Sequence, residues 1–465
     1  MNERLIVVSN RLPMGDTPSG GLVVSLHDVL AASGGCWIGS HPEAGDDHGA
    51  FERIGEEPYQ RLAFRLTESE MENYYLGYAN SVLWPLCHRR PDLVKIRPAY
   101  REAYEAVNRR IAAMIAHEVS PEDIIWVQDY HFIPLARELR KLGVTNRIGF
   151  FLHIPFPVLA DLSIMPQAET FAECLAHYNL IGLQTREDVA RCLEMFRDDP
   201  RAEFMTDGSI KFGEHVSLVH SFPIGIDAKA FEDEARRELP DVFGGASPAP
   251  FAIGVDRLDY SKGLPNRFRA FGTYLADLRP EDTRPCLIQI APPTRLGVQA
   301  YEDITEELQG LTGKINGQFA ELDWTPIRFI NRSVERARLA HLFRMARCGL
   351  VTSLADGMNL VAKEYIAAQD PADPGVLVLS QFAGAAEDMT EALLVNPYDI
   401  EAMAHRIDEA FRMPLGERQR RYRHCLEVVR KTDATSWAHN FLNVLRSSLK
   451  ALDLAFQERE LQPFG

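Results

Sequence analysis

Phe251-Ala-Ile-Gly-Val-Asp-Arg-Leu-Asp-Tyr-Ser-Lys-Gly263 is a strand, a basic turn and the start of a helix written in thirteen residues. The uncharged run from Phe251 to Val255 predicts a buried strand. Beyond Gly263, Leu264, Phe268, Phe271, Leu275 and Leu278 recur at helical spacing. This order is the first half of a βαβ unit. Val7-Val8-Ser9-Asn10-Arg11-Leu12 repeats it near the other end, again with an Arg-Leu pair directly after a strand. So short an echo is either coincidence or the mark of two similar halves. In open α/β sheets, ligands bind outside the carboxyl ends of strands. Two such halves would therefore place Arg11 and Arg257 at ligand-facing positions, around one cleft.

Outward from these turns, short β-branched runs alternate with amphipathic segments. Strands are predicted at Leu5 to Val8, Ile124 to Val127, Ile148 to Leu152, Cys286 to Ile290, Ile327 to Ile330, Gly349 to Thr352, Val376 to Leu379 and Leu393 to Val395. The tail from Asp399 to Phe456 reads as wholly helical. A break is expected between Arg236 and Pro250, where charge gives way to Gly244-Gly-Ala-Ser-Pro-Ala-Pro250. The fold class is thus α/β, with two Rossmann-like doubly wound domains over residues 1–240 and 241–465. The terminal helices are free to cross back to the first domain.

At roughly 150 residues per domain, 465 residues allow three domains or two large ones. A 46% hydrophobic and 25% charged composition excludes a disordered or collagen-like chain. With 50 Lys and Arg against 66 Asp and Glu, the net charge of −16 argues against nucleic acid or an anionic membrane as partner. It does not exclude a small anion, because a pocket can be locally positive. The seven cysteines lie at least 18 residues apart and form no CxxC or disulfide framework. No signal-peptide core and no membrane-length apolar run is legible, so a cytoplasmic setting is expected.

Four segments carry candidate chemistry. Ser19-Gly20-Gly21 opens a predicted helix, either as an anion-approach loop or as an ordinary tight turn. Arg257 and Lys262 suit a diphosphate, one as a fork and one as a point charge; the alternative is a solvated loop in which Asp259 pairs Arg257. Asp356-Gly-Met-Asn-Leu-Val-Ala-Lys-Glu364 starts a helix whose Glu364 could accept a vicinal diol; the alternative is a capping aspartate and a surface glutamate, which an acid embedded in a largely apolar helix fits less well. Asp129-Tyr-His131 and His153 stand at two strand ends, as a sugar-binding set, a metal site, or, for His153, a core histidine. Trp37, Tyr75 and Trp84 are core aromatics by default, although such rings also line sugar pockets.

Together with Ser9-Asn-Arg-Leu, Leu83-Trp-Pro, Gly149-Phe-Phe-Leu-His-Ile-Pro-Phe-Pro157, Pro223-Ile-Gly-Ile, Gln299-Ala-Tyr and Leu379-Ser-Gln-Phe-Ala-Gly-Ala, these segments resemble the trehalose-6-phosphate synthases. They run in order from residue 5 to about residue 400 and are jointly specific. The resemblance implies a retaining glycosyltransferase of the GT-B type, moving glucose from a nucleotide sugar, UDP-glucose first, to glucose 6-phosphate. It implies catalytic roles for Asp129, His153, Arg257, Lys262 and Asp356. Donor contacts fall on Gly21, His153, Arg257, Lys262, Asp356, Gly357, Met358, Asn359, Leu360 and Glu364. Acceptor contacts fall on Arg11, Trp37, Tyr75, Trp84, Asp129 and Arg295. No cofactor and no metal is implied, and self-association is left open.

Two positions depart from the family pattern: Ala355 stands where arginine is usual, and Gln128 where histidine is usual. The first removes a charge beside the donor site. No fused phosphatase domain is expected. Other readings are a sister transferase with another phosphorylated acceptor, as in glucosylglycerol-phosphate synthesis; a metal-dependent phosphoesterase built on Asp129, His131 and His153; and a non-catalytic sugar-phosphate sensor.

Overall fold

The structure, a computed structural model, describes residues 3–14, 21–46, 49–237, 243, 250–295 and 297–460. Ser19, Gly20 and the 244–249 stretch lie outside them. The chain forms two compact units, residues 1–223 with 434–465 and residues 224–433. Neither contains, among the described residues, a helix long and apolar enough to cross a membrane.

The first unit is built on a ten-stranded sheet, in the spatial order Glu52–Gly55, Gln60–Phe64, Cys36–Ser40, Leu5–Arg11, Ile124–Gln128, Arg147–Phe151, Leu180–Leu183, His215–Ser221, Ile210–Phe212 and Ala202–Phe204. The pairs from Gln60–Phe64 to His215–Ser221 are parallel and the outer ones antiparallel. From Leu5–Arg11 the chain first builds toward Cys36–Ser40 and later returns to the other side at Ile124–Gln128. That reversal is a topological switch point, where α/β sheets bind ligands.

The second unit holds six parallel strands in the order Ile327–Ile330, Cys286–Ile290, Phe251–Val255, Cys348–Val351, Val376–Ser380 and Leu393–Val395. In chain order this is 3-2-1-4-5-6, the dinucleotide-fold sequence, with its switch point between Phe251–Val255 and Cys348–Val351.

The division between units falls at 223/224, ahead of the break expected near 240, and the chain divides again at 433/434. The helical tail is therefore three helices rather than one run. Ile400–Arg412 and Leu415–Lys431 belong to the second unit and Ala434–Glu460 to the first. Pro414 explains the first interruption, because it cannot continue a helix.

Glycines explain where the last helix docks. Phe441 lies over Gly149 and Gly182, where an added Cβ would stand 2.7 and 2.6 Å from its ring. The ring stacks on Trp126 at 4.7 Å, and Trp437 meets Trp126 at 5.0 Å and Phe151 at 4.9 Å. Gly149 of the sequence motif is thus a packing residue.

Candidate functional site

In the second unit, the two predicted turns converge at the switch point. Gly263, with φ 64°, sits against the Thr352 carbonyl so closely that a Cβ would overlap it. Only glycine lets the basic turn approach the neighbouring strand end there. Lys262 then reaches Asp356, with Nζ 2.6 Å from Oδ2. The same oxygen accepts from Ser353 Oγ at 3.0 Å and Asn359 Nδ2 at 2.9 Å. Asn359, at φ 77°, caps the Leu360–Ala368 helix by accepting from the Ala362 amide at 3.0 Å. Asp356 is therefore the hub joining both motifs. Gly357 and Met358 are buried beside it, and the Met358 carbonyl accepts from the Ala385 amide.

Glu364 lies one turn into that helix. Among the described residues its carboxylate makes no hydrogen bond, and burial pushes its pKa up to about 7 against the opposing pull of Arg336. Arg257 is exposed at the end of Phe251–Val255.

Beneath this turn lies a network that composition and spacing did not reveal. Arg267, fully buried, places Nη1 2.6 Å from Asp256 Oδ2 and 2.8 Å from Gln289 Oε1, and Nε 2.9 Å from Thr352 Oγ1. It joins the ends of three strands under the residue that precedes Arg257. In sequence it is one more arginine in an amphipathic helix.

Arg295, read as an acceptor-phosphate cation, is turned inward. Its side chain is 4% exposed, 3.0 Å from Asp259 Oδ2 and bonded to the Tyr301 hydroxyl. Asp259 thus pairs Arg295.

In the first unit, Arg11 ends the Leu5–Arg11 strand and donates from Nη2 to the Tyr75 hydroxyl at 3.0 Å, with its guanidinium 5.8 Å from the ring centre. Tyr75 stacks on His131 at 5.9 Å, His131 meets Tyr130 at 4.0 Å, and Tyr130 meets Trp84 at 5.8 Å. Sequence periodicity missed the element that carries Tyr75, a π-helix over Met71–Leu83. Within it, Asn80 Nδ2 donates to the Tyr75 carbonyl five residues back at 2.7 Å. Asn80 Oδ1 accepts from the Tyr130 hydroxyl at 3.0 Å, so one buried amide joins the Tyr75 backbone to the Tyr130 side chain.

Asp129 holds φ 71° and ψ 169°, a region normally reserved for glycine. Its amide donates to the Phe151 carbonyl at 2.7 Å, and its Oδ1 accepts from the His153 amide at 3.2 Å. The strain is held by bonds to the adjacent strand end. With Asn359 and Arg295, Asp129 makes three predicted site residues at positive φ, a clustering associated with functional positions. His153 Nε2 lies 2.9 Å from Gln128 Oε1, and burial pushes its pKa down to about 3, so the ring is neutral at working pH. Gln128, the departure from the family pattern, orients that ring.

Trp37 requires correction. It is 1% exposed in the middle of the Cys36–Ser40 strand, and its indole nitrogen donates to Ser9 Oγ at 2.8 Å. It is a core residue, because alternate side chains of a strand covered on both faces point inward in turn. Gly21 is the first residue of the Gly21–Ser33 helix.

The family model for glycosyltransferase family 20 matches residues 8–447. A trehalose-6-phosphate synthase from Sodalis glossinidius is 41% identical over 449 residues, covering 95% of this chain and 96% of that protein. Among solved structures, one from E. coli bound with UDP-2-fluoro glucose superposes with a TM-score of 0.92 at 41% identity, covering 95% of this chain and 99% of that one. A UDP-forming alpha,alpha-trehalose-phosphate synthase from Burkholderia xenovorans, in complex with glucose-6-phosphate, gives 0.90 at 41% identity, covering 95% and 100%. Matched over nearly its whole length, with both sheets and both switch points in place, the chain belongs to glycosyltransferase family 20.

Proposed function

We propose that this protein transfers glucose from UDP-glucose to glucose 6-phosphate, giving α,α-trehalose 6-phosphate and UDP with retention at the anomeric carbon. The observation that carries the reading is the Lys262–Asp356 hub at the second unit's switch point, one helical turn from the unbonded carboxylate of Glu364. In this reading Arg257 and Lys262 take the diphosphate and Glu364 accepts the ribose diol. Asp356, Gly357, Met358, Asn359 and Leu360 are the second unit's contacts to the donor glucose, and His153 and Gly21 are donor contacts carried by the first. Arg11, Tyr75, Trp84 and Asp129 hold glucose 6-phosphate, and Arg295 is assigned to the acceptor phosphate.

Cleavage of the glycosidic bond builds negative charge on the leaving diphosphate, and preplaced cations stabilise it most where charge develops. Arg257 and Lys262 supply charge that a divalent ion would otherwise bring, so no metal is required. Three donors occupy one oxygen of Asp356, which fits a carboxylate that orients Lys262 better than one that attacks carbon. Retention then follows a front-side course, in which a departing phosphate oxygen accepts the acceptor hydroxyl's proton. The neutral imidazole of His153 hydrogen-bonds sugar without competing for that proton. A phosphoesterase is disfavoured because His131 is engaged between two tyrosine rings and His153 with Gln128.

Mass and NMR analysis of the product from UDP-glucose and glucose 6-phosphate tests the proposal. A 1,1-linked, non-reducing disaccharide phosphate supports it; transfer only to another phosphorylated acceptor favours the sister transferase.

Glu364 gives a pH prediction. A carboxyl raised to about 7 is largely protonated at pH 6, and a diol donating into it favours the ionised form. UDP binding therefore releases a proton near neutrality and tightens as pH rises. From pH 6 to 8 the gain from this group is about tenfold, as two pH units straddling one pKa allow. Calorimetric titration of wild type and Glu364→Gln separates it from UDP's own ionisation, which both share. Parallel pH slopes for the two proteins would remove Glu364 from the ribose.

A further inference from the structure

Lys363, the neighbour of Glu364, is 2% exposed and unused by the chemistry above. Its Nζ donates to the Ile224 carbonyl at 2.7 Å and lies 3.2 Å from the Thr432 hydroxyl. Those two residues mark where the chain enters and leaves the second unit. The two segments touch there: Gly225 lies against Thr432 so closely that a Cβ would overlap its carbonyl. One buried ammonium therefore ties both segments to the helix that carries Glu364.

Burial of this charge is unfavourable and pushes its pKa down to about 8, with Asp388 opposing the shift. A methionine would fill similar space without that cost. What the ammonium adds is two directional bonds, both to the segments that connect the units.

We propose that Lys363 is a positioning residue that couples nucleotide binding at Glu364 to the two connecting segments. The coupling rests on the donor reading of Glu364 given above. When the ribose engages Glu364, any shift of the Leu360–Ala368 helix is passed through Lys363 to Ile224 and Thr432. A purely structural lysine would stabilise the unit equally with and without ligand.

Hydrogen exchange of the full chain with and without UDP, read by mass spectrometry, separates these. In wild type, UDP is expected to slow exchange at least threefold over residues 360–366, 224–227 and 432–435. In Lys363→Met, UDP still binds and protects 360–366, but the effect on 224–227 and 432–435 is lost; Lys363→Arg restores part of it. Thr432→Val, which removes one acceptor and keeps the charge, is expected to weaken the response at 432–435 and stands in if Lys363→Met does not fold. Connecting segments that UDP leaves unchanged in wild type, or protects equally in Lys363→Met or Thr432→Val, overturn the coupling alone. Wild type that neither binds UDP nor is protected at 360–366 overturns the donor reading beneath it.

Discussion

Lys262→Ala lowers kcat by about 10²–10³-fold, the range seen when one preorganised group facing a developing anion is removed. Two losses combine. The leaving diphosphate loses a cation, and Asp356 keeps a carboxylate whose ionic partner at 2.6 Å is gone. The remaining donors, Ser353 and Asn359, are neutral and do not cancel its charge. UDP affinity falls with the rate, while glucose 6-phosphate affinity stays within about twofold, since Lys262 is assigned no acceptor contact. Steady-state kinetics with separate UDP and glucose 6-phosphate titrations check this. Unchanged UDP affinity would remove Lys262 from the diphosphate.

Arg267→Met costs the second unit about 3–5 kcal/mol, because breaking a buried ion pair strands the other charge. Asp256 would be left buried beneath the basic turn, and Gln289 and Thr352 would each lose a donor. For a unit of this size that is a fall of roughly 6–20 °C in its melting transition. Adding Asp256→Asn should recover part of the loss, since removing both charges is less costly than orphaning one. Scanning calorimetry of the single and double variants measures both effects. A loss under about 1 kcal/mol would mean that the network does not hold the turn.

Both cases show which kinds of residue a chain discloses. Strands, their order of appearance and the turns after them are local patterns, so the amino-acid sequence alone places Arg11, Asp129, Arg257, Lys262 and Asp356 at strand ends. Residues whose role depends on what lies opposite are not legible in that way. Arg267 and Lys363 are charges on helices whose neighbours in sequence do not disclose their partners; both are buried against residues contributed by other segments. Trp37 resembles a pocket ring in sequence, but its strand is covered on both faces. Arg295 carries the right charge but is held by Asp259. The π-helix that carries Tyr75 breaks the 3.6-residue period on which helix reading depends. Likewise, no local pattern in the tail separates the helices of the second unit from the one whose Phe441 packs over Gly149 and Gly182.

The transfer itself is tested by following UDP release from UDP-glucose with and without glucose 6-phosphate. Release that requires glucose 6-phosphate and matches the disaccharide phosphate formed mole for mole is the predicted result. Release at the same rate without an acceptor, or none from any UDP-, GDP- or ADP-glucose donor, would contradict it.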